Sequence, residues 1–339
     1  MQNGRNHMKY SAKSYFKNKI YLFYVIGIFL LLTSAICGLL IGSTHVNLID
    51  MFGTTTGRNI LLYVRFPRVL STIFCGFALA VAGVIMQGVL ANKLASPNII
   101  GVNSGAGLAV TICAAFGIYG GWVVSLSAFL GAFFAVMFVS ICARKWNASR
   151  GTVILIGVAM NSLFGAITDS IITLIPNVSM ISNDFKIGEF TSVTYTKLIP
   201  AMILIVVAFF CVLFFANDLD VLTLGDESAK SLGMNTGFMR TILFILVSIL
   251  AGSAVSIAGL LSFVGLIVPH AIRKVIGNKS IHLLILSGIY GGIFVCFCDI
   301  LARTIFSPYE IPVGIFMAFL GAPFFIYLLI KGKGGHRND

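Results

Sequence analysis

The chain has 339 residues, of which 58% are hydrophobic and only 10% charged, and its formal net charge is +12. Soluble domains carry about 25% charged residues, so the composition excludes an ordinary soluble enzyme and indicates a protein that crosses a membrane many times. The positive charge does not indicate a nucleic-acid partner, because Lys and Arg flank apolar runs and form no single basic face with interleaved aromatics.

In chain order, a basic tail (residues 1–19) precedes a first apolar span at about 20–42, with no small-residue cleavage pattern, so the span is expected to be retained. Nine further spans are expected at about 67–90, 99–118, 121–143, 152–175, 197–216, 238–257, 260–275, 281–302 and 311–331, each judged against the ~20 apolar residues that cross a bilayer. The expected fold is therefore an all-α polytopic membrane protein of about ten transmembrane helices: one domain over 20–331 and a short tail at 332–339. Alternate crossing puts both termini, and 17 of the 23 Lys and Arg residues, on the cytoplasmic side. The six outside are Arg58, Arg65, Arg68, Lys186, Lys197 and Arg303.

A repeat is visible within this pattern. Gly76-x-Ala78-x-x-x-Ala82-Gly83 in the second span recurs as Gly252-x-Ala254-x-x-x-Ala258-Gly259 in the seventh. An odd number of spans separates the copies, so they cross in opposite directions, which predicts an inverted repeat of spans 2–5 and 7–10. The seven cysteines are scattered through apolar stretches and read as packing residues, not as a disulfide framework or a metal site.

Four groups of residues stand out. Arg65, Arg68 and Arg303 lie at outer span edges, where positive charge is disfavoured. They can snorkel to lipid phosphates, Arg303 can pair with Asp299 one turn earlier, or all three can meet an acidic partner. The second group is the inner connection 217–236, with Asp226 and Glu227 at the start of a short helix and Gly233 at its end. Its Leu222, Leu224, Ala229 and Leu232 form an apolar face without a lipid partner. Third comes the Pro- and Gly-containing turn from Asn92 to Asn103. The last group is the ionisable residues inside spans. Asp299 has Arg303 as a neighbour, whereas Asp169 has no local partner.

These motifs follow one another in a recognisable order: Arg65-x-Pro67-Arg68, Gly76-x-Ala78-Leu79-Ala80-x-Ala82-Gly83 with Gln87, Asn92-x-Leu94-Ala95-x-Pro97, and Gly101-Val102-x-Ser104-Gly105-Ala106-Gly107. Leu224-Gly225-Asp226-Glu227, then Ser262 to His270, then Gly321-Ala322-Pro323-Phe324-Phe325 complete the series. In this the chain resembles the FecCD-type permeases, the membrane subunits of ABC importers for iron chelates, haem and cobalamin. Lys93 departs from the pattern, which usually has proline there. The resemblance implies docking of an external substrate-binding protein on Arg65, Arg68 and Arg303, and coupling to an ATPase through Gly225, Asp226, Glu227, Leu232 and Gly233. It also implies a cytoplasmic gate at Asn92 and Leu94, and a substrate route lined by the fifth and tenth spans, with Asn161, Ser162 and Asp169 as candidates.

The partners so implied are a second permease subunit, two cytoplasmic ATPase subunits, the binding protein and membrane lipid. The implied location is a bacterial cytoplasmic membrane. No phosphate-binding loop, H-E-x-x-H or G-x-S-x-G motif occurs in the chain, so ATP and magnesium are expected on the partner ATPase and no cofactor on this chain. An iron chelate is the expected cargo, with haem or a corrinoid as the alternative. An ion-coupled carrier would require paired charges within the membrane, and a membrane enzyme would require clustered His, Asp or Glu at one face; neither pattern is present in the sequence.

Overall fold

Two helices form the centre of the protein, α3 (Phe66–Val89) and α11 (Thr236–Ala258). They bury 78% and 72% of their apolar stretches, against 11% for α1 (Gln2–Leu40), which lies along the periphery. The structure, a computed structural model, describes residues 2–42, 53–146 and 148–333. Part of the expected outer segment 43–64 and most of the tail 332–339 thus lie outside the described residues.

The remaining helices are α2 (Thr55–Asn59), α4 (Val102–Ala115), α5 (Gly121–Lys145), α6 (Arg150–Leu174), α7 (Ser179–Ile187) and α8 (Tyr195–Phe214). They are followed by α9 (Ala216–Thr223), α10 (Asp226–Ser231), α12 (Val264–Ile276), α13 (Ser280–Thr304) and α14 (Val313–Lys333). Among the described residues there is no strand.

The centre packs closely because small residues let backbones touch. A Cβ on Gly83 would lie 2.0 Å from the Gly265 carbonyl oxygen, and one on Gly76 would lie 2.2 Å from that of Gly291. Glycine is therefore required where α3 crosses α12 and α13. α3 continues without a break from a π-helical turn over Ile60–Arg65, so the N–H that Pro67 lacks falls inside a longer helix, and the Leu62 carbonyl accepts from the Tyr195 hydroxyl instead.

Seven helices are long and apolar enough to cross a membrane. Helices also occupy the other three expected spans; α14 has 21 residues, but α4 and α12 have only 14 and 13. Both α4 and α12 start late, after non-helical backbone, and α4 also ends early, before Gly117 at φ +78°. Pro97–Ile100 form a 3-10 turn leading to Gly101 at φ +91°, and the chain reaches α12 through Phe263 at φ +68°. A left-handed phenylalanine is strained, and its ring packs where a Cβ on Gly321 of α14 would clash, 2.2 Å from Cγ.

Candidate functional site

The outer arginines are buried in this chain. Arg65, Arg68 and Arg303 are 4%, 8% and 2% exposed, and their charges are spent on internal contacts. Arg68 donates to Asp299 from Nε at 3.2 Å and from NH2 at 2.9 Å, and to Glu310 from NH1 at 2.8 Å. Arg303 Nε lies 3.1 Å from the other Asp299 oxygen, the one-turn pairing expected of it. Arg65 NH1 donates to the carbonyls of Leu39 and Leu40, and Arg303 NH2 to that of Gly38, so both cap the C-terminus of α1. A cation there satisfies orphan carbonyls and complements the negative end of the helix dipole. Asp299, Glu310 and three carbonyls thus draw these side chains inward.

At the opposite end, α9 and α10 form the connection expected to meet an ATPase. Leu222 and Ala229 are fully buried, so only half of the expected apolar face remains open: Leu224 and Leu232, 64% and 67% exposed. Asp226 is held in place by Arg150, which donates from Nε at 3.1 Å and from NH2 at 2.7 Å, and by a close contact with Arg240. Arg150 NH2 also donates to the Leu222 carbonyl at 2.7 Å. Burial alone would raise the Asp226 pKa, but hydrogen bonds and charge from Arg240 and then Arg150 hold it below the usual carboxylate range. One residue on, Glu227 is exposed. Asp220 in α9 accepts the backbone N–H of Ser280 at 2.9 Å. The short helices are thereby tied to the first turns of α6, α11 and α13. Gly225 and Gly233 bracket α10 at φ +111° and +82°.

The turn after α3 is built by Asn92, whose Oδ1 accepts the Leu94 N–H at 2.9 Å. Leu94 is half-buried and Lys93 exposed. Asn161 works as a staple: its Nδ2 donates to the Asn98 carbonyl at 3.0 Å, and its Oδ1 accepts from Ser104 at 2.6 Å. It thereby fixes the broken start of α4. Ser162 and Asp169 lie on an exposed face of α6 together with Thr173, seven and four residues apart along one helical stripe. Asp169 has a partner after all, Lys186 in α7 at 3.6 Å, both side chains being largely exposed.

Several polar contacts have no sequence signature. Arg273 NH2 donates to Gln87 Oε1 at 3.1 Å, and Gln87 Nε2 donates to the Gly265 carbonyl at 3.3 Å, joining α3 to α12. Glu310 and Arg150 likewise lie far along the chain from the residues they hold, Arg68 and Asp226. Among the described residues no group of His, Cys, Asp and Glu could hold a metal ion, and all seven cysteines are free.

A helical bundle with apolar spans, glycine-packed central helices, and an anchored helical loop at one end defines a membrane permease subunit. The FecCD transport family model matches residues 29–331, and the chain belongs to that family. Among its relatives in Bacillus subtilis, an Fe(3+)-citrate import system permease protein is 33% identical, over 96% of this chain and 99% of its own length. A hemin transport system permease protein of Yersinia pestis is 32% identical, covering 86% of this chain and 90% of the relative. A solved structure of an ABC transporter assigned to the metal-chelate type, in an inward-facing conformation, superposes with a TM-score of 0.83 at 28% identity, covering 92% of this chain and 99% of that one.

Proposed function

We propose that this chain is the permease subunit of a binding-protein-dependent ABC importer for an iron chelate. It pairs with a second permease subunit, and the cargo crosses between the two. The relatives' cargoes, ferric citrate and hemin, support the substrate class and leave haem or a corrinoid as the second reading. The chain lies in a bacterial cytoplasmic membrane with ten spans and both termini inside, in keeping with the excess of Lys and Arg at that end.

The observation that carries the reading is the anchored helix α10, with Leu224 and Leu232 exposed on a solvent-facing loop. An ATPase groove that took these leucines would grip an element pinned to α6, α11 and α13. ATP-driven closure of the ATPases then pulls on helix starts in both halves of the permease. The uncovered stripe of α6, with Ser162, Asp169 and Thr173, faces the route, and Asn92 and Leu94 lie at its inner mouth. Packing supports the inverted repeat: matched Gly76 and Gly252 each face the fourth span of the opposite half, α13 and α5. Gly101 and Phe263 also open the matched helices α4 and α12 through left-handed backbone. The second matched pair is not equivalent, since Gly83 lies within α3 whereas Gly259 ends α11 at φ +71°.

Co-purification tests the coupling. Leu232→Asp places a charge at the contact while leaving the fold intact, because the side chain is exposed here. The ATPase is expected to be lost while the permease still inserts and purifies. Retention of both the ATPase and transport would reduce the loop to a connector.

A further inference from the structure

At the end of the bundle opposite α10, where α5 and α8 begin, two hollows share a wall. One, of about 260 Å³, is lined by Asp184, Glu189 and Lys197, with Tyr119 beside them. The other, of about 180 Å³, runs between α5 and α8 and is lined by Trp122, Leu126, Phe129, Pro200 and Leu204. Ser125, Lys197 and Ser256 line both, so the two form one cleft, charged at its head and apolar along its length. The backbone fixes the charged part. Glu189 N–H donates to the Ala258 carbonyl at 2.8 Å and Leu260 N–H to that of Phe185 at 3.0 Å, which pins the segment after α7 to the end of α11.

Exposure, depth and charge together identify the occupant. Trp122, Leu126 and Leu204 line the groove and are 63%, 44% and 38% exposed, so it opens on the face that these two spans turn away from the core. From Gly121 to Phe129 in α5, and from Tyr195 to Leu204 in α8, the helices rise about 12–14 Å, close to half of a ~30 Å hydrocarbon core. Tyr119 and Trp122 flank its head, as aromatics do at a membrane interface. Lys197 is one of the six cations expected on the outer side, and among the described residues it forms no ion pair. Glu189 is near enough for its charge to act on Lys197 without bridging to it, and Asp184 is also unbridged. Two carboxylates and a lysine at the head of an apolar groove match a zwitterion with a tail. A primary ammonium donates N–H bonds to the carboxylates, which a quaternary ammonium cannot do and an anionic head group does not offer. We propose that this cleft binds a phospholipid with a primary-amine head group, its ammonium on Asp184 and Glu189, its phosphate on Lys197 and an acyl chain between α5 and α8. The site requires a membrane-spanning chain but not the importer reading, so it is tested on the permease alone.

The experiment is native mass spectrometry of the delipidated full chain titrated with phosphatidylethanolamine, phosphatidylcholine or phosphatidylglycerol of the same acyl chains. One phosphatidylethanolamine is expected to stay bound, in clear preference to the other two and undisplaced by millimolar glycerophosphoethanolamine. Lys197→Gln should weaken it roughly tenfold, the worth of one charge-assisted contact. Asp184→Asn with Glu189→Gln leaves the lysine alone and should turn the preference towards phosphatidylglycerol, a reversal that a merely structural role would not produce. Arg58→Gln, at an exposed position that does not line the cleft, should change nothing. Equal binding of the three lipids, an unaltered preference in the double variant, or an equal loss in the Arg58 variant would overturn the site. Displacement by glycerophosphoethanolamine would also overturn it, and would assign the cleft to a soluble amine.

Discussion

Replacing Asp299 by asparagine removes one negative charge from a buried cluster in which Arg65 already lies near enough to repel Arg303. Arg68 and Arg303 oppose Asp299 and Glu310, and the Asp299 side chain is only 1% exposed. Its two oxygens take the Nε and NH2 of Arg68 and the Nε of Arg303, so one amide cannot satisfy both guanidiniums. Breaking a buried pair from one side leaves an uncompensated charge and costs about 3–5 kcal/mol. Glu310→Gln should cost less, about 1.5–3 kcal/mol, because it removes one charge-assisted bond at a side chain 23% exposed. Adding Arg303→Met to Asp299→Asn removes a guanidinium left without its carboxylate and should recover part of the loss, a coupling that only a shared network produces. Denaturant titration in detergent micelles, followed by intrinsic fluorescence, reads these three variants and Arg303→Met alone. An Asp299→Asn loss under about 1 kcal/mol, or smaller than that of Glu310→Gln, would show that the cluster does not hold α1, α3 and α13 together.

Three further outcomes are expected. Gly83→Val should abolish a monodisperse peak in size-exclusion chromatography, since its Cβ meets the Gly265 carbonyl at 2.0 Å, whereas Gly107→Ala, with nothing within 4 Å, should behave as wild type. Because the folded-state pKa of Asp226 is depressed, its contribution to stability is complete above the unfolded value of about 3.9 and is lost as pH falls through the lower folded value. The thermal midpoint should thus owe no pH dependence to this group between pH 5 and 8, and its decline in stronger acid should be shallower in Asp226→Asn. Thr55→Cys should react with an impermeant thiol reagent in intact cells and Ser228→Cys should not, although both positions are exposed on the protein itself; labelling at 228 contradicts the even-span topology.

The legible parts of this fold were those written in local pattern. Apolar length located helices at all expected spans, and the small-residue repeat marked the two helices, α3 and α11, that form the centre. Glycines around Asp226 marked a short capped helix. What composition could not convey was which side of a residue faces inward. Arg65, Arg68 and Arg303 sit at span edges whether they point to solvent or to a carboxylate. Glu310, which helps to decide the matter for Arg68, follows it by 242 residues. The same holds for Arg150, 76 residues from Asp226, and for Asn161, 63 residues from the Asn98 carbonyl to which it donates. Long-range polar partners depend on tertiary geometry and leave no periodic trace.

The central claim is that transport through this chain is driven by a partner ATPase and supplied by a binding protein. Uptake of radiolabelled ferric citrate and hemin into proteoliposomes tests it most directly, with permease, ATPase and binding protein added singly and together. Accumulation of one chelate is predicted only when all three proteins and internal-face ATP are present, with no response to an imposed proton or sodium gradient. Gradient-driven accumulation by the permease alone would contradict the account.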